Sequence, residues 1–181
     1  ELARLQAFDV LLIGIPTWNV GELQQDWDEV FVKLAPLRFD GIKIALFGHK
    51  PLCDRALDEA VVGGRFLNPG SRNELLGCLQ APVAVIACGH VHQYRDTIIA
   101  GTRHVWAPST GFVLPDALQP RYGVKQLGWV EHRFHADGQY GCALMEVTDT
   151  TLLHITEFPE AYGAFWQDDA VRKTMAERAT A

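Results

Sequence analysis

Two histidines separated by a single residue stand at the end of an apolar run in this chain. The run APVAVI leads into ACGHVHQY, which places His90 and His92 directly after a predicted buried strand. Imidazole side chains are the commonest metal ligands in proteins, and they favour Mn, Fe, Ni or Zn over Mg or Ca. Because two imidazoles alone make a weak site, other residues of the chain have to complete it.

Predicted strands and helices alternate in the first half of the chain, and they must position these histidines. FDVLLIGIP, GIKIALFG and APVAVIACG are continuous apolar runs, which is typical of parallel strands covered on both faces. GELQQDWDEVFVKLAP has apolar residues at helical spacing and ends at Pro36. Ser71 and Glu74 form a capping box that predicts a helix over RNELLGCL. Strand, helix and strand with short links indicate a right-handed parallel unit.

The second half of the chain has the pattern of antiparallel strands. DTIIAGTRHVWAPS predicts a hairpin that turns at Ala100-Gly101-Thr102. GWVEHRFHADGQYGCALMEVTDTTLLHITEF predicts three strands joined at Asp137-Gly138 and Asp149-Thr150, and an amphipathic helix is expected over residues 165–178. We therefore predict an α/β fold, with a short parallel sheet and flanking helices in the N-terminal half and antiparallel strands in the C-terminal half.

Composition narrows the class of protein. The chain has 181 residues, which suits one domain, and 48% of them are hydrophobic, which is enough for a core. The formal net charge is -6 with no Lys/Arg-rich run, and no apolar run reaches membrane-spanning length, so we expect neither a nucleic-acid nor a membrane partner. The four cysteines form no Cys-x-x-Cys pair, which favours a cytoplasmic location, and Cys78 and Cys88 are expected to be buried. A start at Glu1 without a signal-peptide pattern predicts a mature form or a fragment.

Three motifs from about residue 47 to 158 resemble the calcineurin-like metallophosphoesterases. They are FGHKPL, which contains His49, then CGHVHQY, and then RHVWAPST. The resemblance implies a four-layer sandwich that holds two divalent metals, Mn, Fe or Zn, and that hydrolyses a small phosphoester by a phosphodiesterase- or phosphatase-type reaction. On that resemblance His49 and His90 would share one metal and His92 would bind the second, and all three are the candidate catalytic residues.

The carboxylate half of such a centre is missing from the sequence. The family supplies it through Asp-x-His, Gly-Asp-x-x-Asp and Gly-Asn-His, and this chain contains no Asp-x-His, no Gly-Asp and no Gly-Asn. Without a bridging carboxylate, the repulsion between two cations is not offset. We therefore expect an incomplete metal site with weak or no hydrolysis, in which three histidines could hold a single Zn with an open water position.

The segment from about residue 5 to 48 is similar to another family, the long-chain flavodoxins. FDVLLIGIPTWNVGELQQDWDEVF and FDGIKIALFG carry this similarity. It implies that FMN binds here, with Trp18 stacked on the isoalloxazine ring and Thr17 and Asn19 beside it. The family holds the FMN phosphate in a Ser/Thr-Gly-rich loop at a helix N-terminus. PSTG at residues 108–111 has that composition, but the following FVLPD does not open a helix.

The two resemblances meet inside IALFGHKP, where both families have a buried parallel strand. We therefore predict a chimera or a fragment in which one domain, 1–181, contains a flavodoxin-like βαβ segment at 5–48, a metallophosphoesterase-like part at 47–158 and a C-terminal helix at 159–181. The leading hypothesis is a metal-dependent phosphoester hydrolase with an incomplete site. The alternatives are a flavodoxin-like FMN-binding electron carrier and a chimeric scaffold without activity.

Overall fold

The structure is a computed structural model, and it describes most of the chain between residues 2 and 158. The described residues are 2–7, 9–15, 17–18, 22–23, 26–60, 64–79, 82–158, 160, 169 and 173. They form two compact units. The first unit comprises Glu1–Val91, Asp96–Trp106 and His132–Cys142, and the second comprises His92–Arg95, Ala107–Glu131 and Ala143–Ala181.

The α/β fold predicted from the sequence is confirmed. The described strands are β1 (Val10–Ile15), β2 (Thr17–Trp18), β3 (Glu22–Leu23), β4 (Lys43–Gly48), β5 (Val83–Cys88), β6 (Arg95–Ile99), β7 (Thr102–Trp106), β8 (Gly128–Phe134) and β9 (Tyr140–Glu146). Helix α1 (Asp26–Leu34) lies between β3 and β4, and helix α2 (Pro69–Leu79) lies between β4 and β5. Short 3-10 helices cover Leu2–Ala7 and Ile155–Glu157.

A five-stranded sheet in the order β1-β4-β5-β7-β6 organises the first unit. The pairs β1–β4, β4–β5 and β5–β7 are parallel, which confirms the predicted parallel strands and the strand–helix–strand arrangement. Two-stranded sheets are formed by β2 with β3 and by β8 with β9. The chain therefore has a mostly parallel sheet and, in its C-terminal half, an antiparallel hairpin.

Burial along the strands follows their position in the sheet. Strand β4, which has a parallel neighbour on each side, buries Ile44, Ala45 and Leu46 to 0%, 1% and 1% exposure, as expected for a strand covered on both faces. Strand β1 is an edge strand and departs from the prediction, because Leu12 is 61% exposed while Leu11 and Ile15 are buried. Its apolar run is therefore covered on one face only.

The two helices begin at different residues from those that the sequence pattern predicts. Asn68 caps α2, since its Oδ1 accepts the Ser71 backbone N–H at 2.8 Å, and Pro69 occupies the first helical position, where a missing N–H costs nothing. The predicted Ser71–Glu74 capping box is wrong because Ser71 already lies inside the helix. Helix α1 begins only at Asp26, because Glu22–Leu23 pairs with Thr17–Trp18 as a strand.

Two of the predicted hairpin turns are confirmed. Ala100 and Gly101 both have positive φ values, 49° and 82°, as a two-residue turn between β6 and β7 requires. Between β8 and β9, Gly138 has a φ of 77° and its carbonyl accepts a hydrogen bond from the Lys43 ammonium at 2.6 Å. The second hairpin is thereby connected to strand β4 of the parallel sheet.

The predicted third antiparallel strand after β9 is absent from the described residues 147–158. His154 forms a single parallel bridge with Val113, and the chain then enters the short helix Ile155–Glu157. The Glu157 carboxylate accepts the His154 backbone N–H at 3.0 Å, so this helical start replaces continued strand pairing. The predicted helix over 165–178, and with it the segment 159–181, lies outside the described residues apart from the helical residues Glu160, Asp169 and Lys173.

A buried glutamine organises one part of the second unit. Gln93 has no solvent exposure, and its amide Nε2 donates to the Gln119 Oε1 at 2.7 Å and to the Pro120 carbonyl at 2.9 Å. Its Oε1 accepts the backbone N–H groups of Tyr122 and Gly123, both at 2.8 Å. Every polar group of a buried amide is thus used, which is the condition for burying it without a large cost.

No described helix has the length and apolarity that crossing a membrane requires.

The burial of two cysteines agrees with the prediction from the sequence. Cys78 and Cys88 are both buried, as predicted, and burial raises the pKa of the Cys78 thiol to about 11. These thiols are therefore protonated at neutral pH and pack as small apolar groups.

Removing the buried leucine of strand β4 should destabilise the protein. Leu46→Ala is expected to lower the free energy of unfolding by about 2–5 kcal/mol, because it leaves a cavity in the core. Leu12→Ala, on the open face of β1, is the matched control and should change it by less than about 0.5 kcal/mol. Urea unfolding followed by circular dichroism measures both values, and equal effects of the two variants would contradict the described burial.

Candidate functional site at the carboxyl edge of the parallel sheet

Three adjacent parallel strands of the first unit end in register. Ile15 at the end of β1 pairs with Gly48 at the end of β4, and Gly48 pairs with Cys88 at the end of β5. The residues that follow these strands therefore emerge at one edge of the sheet. Small-molecule ligands of open α/β sheets bind outside the carboxyl ends of the strands, so this edge is the candidate site.

Thr17 and Trp18 follow β1 at this edge. They form the short strand β2, in which Thr17 pairs with Leu23 and Trp18 with Glu22. The structure describes the backbone of these two residues, and Asn19 lies outside the described residues. The contacts of Thr17, Trp18 and Asn19 with a flavin, which the flavodoxin resemblance implies, stay a prediction.

His49 and His90 follow β4 and β5, and the structure brings their side chains together. The His90 Nδ1 lies 2.9 Å from the His49 Nε2, and the two rings meet edge to face with their centroids 4.6 Å apart. The Gly89 backbone N–H also donates to the His49 carbonyl at 3.1 Å. Two loops of neighbouring strands are thus held to each other through both backbone and side chains.

The backbone around the Gly-His-x-His motif is strained. His90 has a φ of 64° and His92 a φ of 53°, in the left-handed region that costs a residue with a side chain roughly 1–2 kcal/mol. The Val91 N–H donates to the Gly89 carbonyl at 2.7 Å, which makes a tight turn around His90, and Val91 is fully buried. Surrounding packing therefore holds His90 in a conformation that it would rarely adopt alone.

The loop after β4 is fixed by a buried arginine to which the sequence pattern gave no role. Arg72 is 1% exposed, and its guanidinium donates to the carbonyls of Leu52 at 3.2 Å and Glu59 at 2.8 Å. The Lys50 ammonium, in a side chain that is also buried, donates to the Gly64 carbonyl at 2.7 Å. Only the folded chain reveals these partners, since they are backbone groups distant in sequence.

A carboxylate closes the same loop locally. Glu59 accepts the backbone N–H groups of Asp54, Arg55 and Ala56 at 2.9, 2.6 and 3.1 Å. Partial burial alone would raise the pKa of the Glu59 carboxyl, but these three donors and the nearby Arg72 charge lower it below its ordinary value. The loop that carries His49 is therefore well anchored at neutral pH.

The local environment keeps His49 uncharged at neutral pH. Partial burial, and secondly the positive charge of Lys50, lower the pKa of His49 below its ordinary value of 6.5. A neutral imidazole has one N–H donor and one acceptor nitrogen. The contact with His90 is therefore an ordinary hydrogen bond between two rings, one of which donates while the other accepts.

His92, the third predicted metal ligand, belongs to the second unit. Its ring lies 4.9 Å from the ring of Phe112, which in turn contacts Phe158 at 6.2 Å. Within the described part of the chain, no group of three or more His, Cys, Asp or Glu side chains could hold a metal ion. The metal-binding roles of His49, His90 and His92 stay predictions.

A second polar cluster joins the two hairpins of the first unit, and the sequence motifs did not indicate it. Arg103 makes a bidentate ion pair with Asp96 at 2.8 and 2.6 Å, and its guanidinium lies 5.4 Å from the ring centroid of Tyr140. The Tyr140 hydroxyl is 2.7 Å from the His132 Nδ1, and the Cys142 thiol is 3.6 Å from the Asp96 carboxylate. Strand β9 is thus connected to the β6–β7 hairpin by the hydrogen bond from the Cys142 thiol to Asp96 and by the cation–π contact of Arg103 with Tyr140.

Burial and charge move the pKa values of this cluster in opposite directions. The hydrogen bonds from Arg103 hold the pKa of Asp96 below its ordinary value, and the Asp96 partner raises the pKa of Arg103. Burial raises the pKa values of Tyr140 and Cys142, so both side chains are protonated at neutral pH. The cluster therefore contains one stable ion pair and neutral neighbours, which suits a structural role.

Two backbone N–H groups at the turn over residues 108–111 are already used in local hydrogen bonds. The Ser109 hydroxyl accepts the backbone N–H groups of Gly111 at 3.1 Å and Phe112 at 3.3 Å. The following residues form an isolated bridge at Val113 rather than a helix. The bridge at Val113 agrees with the prediction that no helix opens after PSTG at residues 108–111.

Comparison with known proteins finds similarity to flavodoxins over about a quarter of the chain. A flavodoxin from Synechococcus elongatus is 54% identical over 48 residues, which are 26% of this chain and 28% of the relative. Flavodoxin 1 from Escherichia coli strain K12 is 54% identical over 44 residues, 24% of this chain and 25% of the relative. A flavodoxin from Picosynechococcus is 50% identical over 48 residues, with shares of 26% and 28%.

The chain thus contains a flavodoxin-like segment and spans about a quarter of the length of the curated relatives it matches. No family model matches the chain. The interpretation as a metal-dependent phosphoester hydrolase is wrong, because the relatives found are flavodoxins and nothing found supports a metallophosphoesterase part. The histidine motif that led to that interpretation is short, whereas the flavodoxin similarity extends over more than forty residues.

Replacing Arg103 should raise the pKa of His132. Burial, and secondly the Arg103 charge, lower the pKa of His132 below its ordinary value of 6.5. Arg103→Gln removes a positive charge near His132 and leaves the Asp96 carboxylate without its charged partner. Both effects favour the protonated imidazole. The midpoint of the His132 titration, followed by NMR of its ring protons, should therefore move to higher pH.

The matched control is Arg121→Gln, in the second unit, which should leave that midpoint unchanged. The lowered pKa of His132 also determines the direction in which folding stability changes with pH. Neutral His132 favours the folded state above pH 6.5, and this contribution is lost as the pH falls from 6.5 through the lowered pKa. A midpoint in Arg103→Gln that stays or falls would contradict the described contact.

Proposed function

We propose that this chain carries part of a flavodoxin-like electron carrier and binds FMN at the carboxyl edge of its parallel sheet. The observation that carries the proposal is the 54% identity with a flavodoxin over 48 residues. FMN accepts and donates electrons through its isoalloxazine ring when bound. The protein would contribute the binding surface and the exclusion of water around that ring.

The arrangement of the first unit supports the ring half of such a site. Strands β1 and β4 are parallel neighbours that end in register, so the loops after Ile15 and Gly48 lie at one edge. Thr17 and Trp18 follow the first of these strands, and His49 follows the second. An aromatic residue and an imidazole at the ends of adjacent strands suit a flat ring with polar edges, since the first can stack and the second can form hydrogen bonds.

The phosphate half has less support in the described residues. At the start of α2, the Ser71 N–H donates to the Asn68 side chain and the Arg72 N–H donates to the Asn68 carbonyl. We therefore base the proposed function on the isoalloxazine ring, and Trp18, with Thr17 and Asn19 beside it, is the proposed contact.

Flavin binding can be measured directly with the purified chain. Addition of the chain to FMN at micromolar concentration should quench the flavin fluorescence, because an aromatic side chain stacked on the ring quenches its emission. Trp18→Ala should weaken binding about fivefold or more, since an aromatic stack contributes roughly 0.5–1.5 kcal/mol beyond the area it buries.

Trp129→Ala is the control variant, because Trp129 is a half-exposed tryptophan of the second unit. It should bind FMN like the unaltered chain. FMN fluorescence that stays constant up to saturating protein would refute the proposed function and would leave the scaffold without activity as the remaining hypothesis. Equal loss in both tryptophan variants would refute the assignment of Trp18.

A further inference from the structure

We infer that a cavity in the second unit binds a small organic monocarboxylate, whose carboxylate contacts Arg121 and whose apolar tail fills the cavity. The cavity has a volume of about 290 Å³, and its described lining residues all belong to the second unit. The proposed flavin site belongs to the first unit, so the inference goes beyond the proposed function and does not depend on it.

The walls of this cavity are mainly apolar. Two stretches of the chain form them and contribute Val113, Leu114, Pro115, Leu152 and His154. The stretches are held together because the Val113 backbone is hydrogen-bonded to that of Leu153 and that of Ile155, at 2.9 Å in both cases. Cavities for ligands of drug size start at about 300 Å³, so this one suits a smaller molecule with an apolar part.

Three charged side chains border the cavity, and two of them are cations. The Asp116 carboxylate accepts a hydrogen bond from the Arg121 Nε at 2.9 Å and another from the Lys125 ammonium at 2.8 Å. The hydrogen bond from Lys125, and secondly that from Arg121, hold the pKa of Asp116 below its ordinary value, so this carboxylate is ionised at neutral pH. The three groups together have one positive charge in excess, which matches a ligand with a single negative charge.

Lys125 is fixed inside the protein and neutralises Asp116 by itself. Its side chain is 7% exposed, and its ammonium also donates to the Gln119 carbonyl at 2.7 Å. Gln119 is buried in turn and accepts a hydrogen bond from the buried amide of Gln93. A buried cation requires such partners, and here they form one connected network. The second cation, Arg121, is therefore not needed to satisfy Asp116.

Arg121 is placed to contact a ligand. Its side chain is 69% exposed, and Asp116 is the only described residue that accepts a hydrogen bond from it, through Nε. A guanidinium has five N–H donors in a planar fork, and four of them are on the Nη atoms. This fork matches the two oxygens of a carboxylate in geometry, which gives shorter and stronger hydrogen bonds than a neutral pair.

A neighbouring cavity defines the orientation of the ligand. It has a volume of about 240 Å³ and adjoins the first one, because Lys125 and Leu152 line both. The Glu146 carboxylate borders this second cavity, whereas Asp116 is the only carboxylate among the described residues that line the first. An anionic head group is repelled by Glu146 and attracted by Arg121, so the carboxylate faces Arg121 and the tail lies along the apolar wall.

The test uses hexanoate as the probe and the full chain labelled with ¹⁵N. Addition of hexanoate at pH 7.5 should shift the backbone amide NMR signals of residues 113–125 and 152–155 in a saturable way. Butyrate has two methylenes fewer and should bind about tenfold more weakly, because each buried methylene contributes about fourfold. Hexylammonium has the same tail with the opposite charge and should cause no saturable shift of these signals.

Two arginine variants separate binding from folding. Arg121→Gln should weaken hexanoate binding about tenfold, because charge-assisted hydrogen bonds to the carboxylate are lost. Arg38→Gln is the matched control, since the Arg38 side chain is 70% exposed and pairs with Asp40 in the first unit. It should leave the dissociation constant unchanged. Lys125 keeps Asp116 paired in Arg121→Gln, so the urea midpoints of the two variants should agree.

Saturable binding of hexanoate that Arg121→Gln weakens and Arg38→Gln preserves would support the inference. It would be overturned by shifts that do not saturate, by equal affinities for hexanoate and butyrate, or by equal effects of the two arginine variants. Quenching of FMN fluorescence tests the proposed function separately. Failure of hexanoate to bind therefore leaves that function standing, and failure of FMN to bind leaves this inference standing.

Discussion

The parallel pairing of β1, β4 and β5 in one register is the constraint on which the rest of the first unit depends. Parallel strands put all their carboxyl ends at one edge, and a register shift of one residue would move each following loop and reverse the faces of the side chains. Because Ile15, Gly48 and Cys88 are aligned, the loops that carry Trp18, His49 and His90 begin at the same height. Without this alignment the two imidazoles would not meet.

The buried interior of strand β4 makes that register stable. Strand β4 has parallel neighbours on both sides, and its interior residues Ile44, Ala45 and Leu46 are all essentially inaccessible to solvent. A slip would expose these side chains and bury polar neighbours, so the hydrophobic effect selects one pairing. The flavodoxin-like similarity extends over a length close to that of residues 5–48, which end at this strand. A strand with a buried interior is therefore also the one at which the two patterns in the sequence meet.

The geometry of the candidate site depends on how loops are fixed to the sheet. Arg72 and Glu59 bind backbone groups of the loop after β4, and the Gly89 N–H binds the carbonyl of His49. These contacts hold the two loops beside each other and maintain the strained conformation of His90. The cluster of Asp96, Arg103 and Tyr140 has the same kind of role for the hairpins, and its charges are used in mutual hydrogen bonds rather than presented to a ligand.

The sequence by itself determined the parallel strands and two of the hairpin turns. Continuous apolar runs identified β1, β4 and β5, although only one face of β1 is covered, and the glycines at 101 and 138 marked turns because the backbone there has positive φ. Local patterns were also the source of the wrong assignments. Ser71 and Glu74 have capping-box spacing, but Asn68 and Pro69 start the helix earlier, and the histidine motif led to a hydrolase interpretation that a longer similarity overturned.

Only the tertiary structure decided which of the candidate residues come together. His49 and His90 are forty-one positions apart, and their 2.9 Å contact exists because two strands pair side by side. Arg72, Gln93 and Arg103 have partners that are likewise distant in sequence, and several of these partners are backbone groups that no residue pattern identifies. The physical reason is that local conformation is encoded by neighbouring residues, whereas the meeting of side chains depends on the register of the whole sheet.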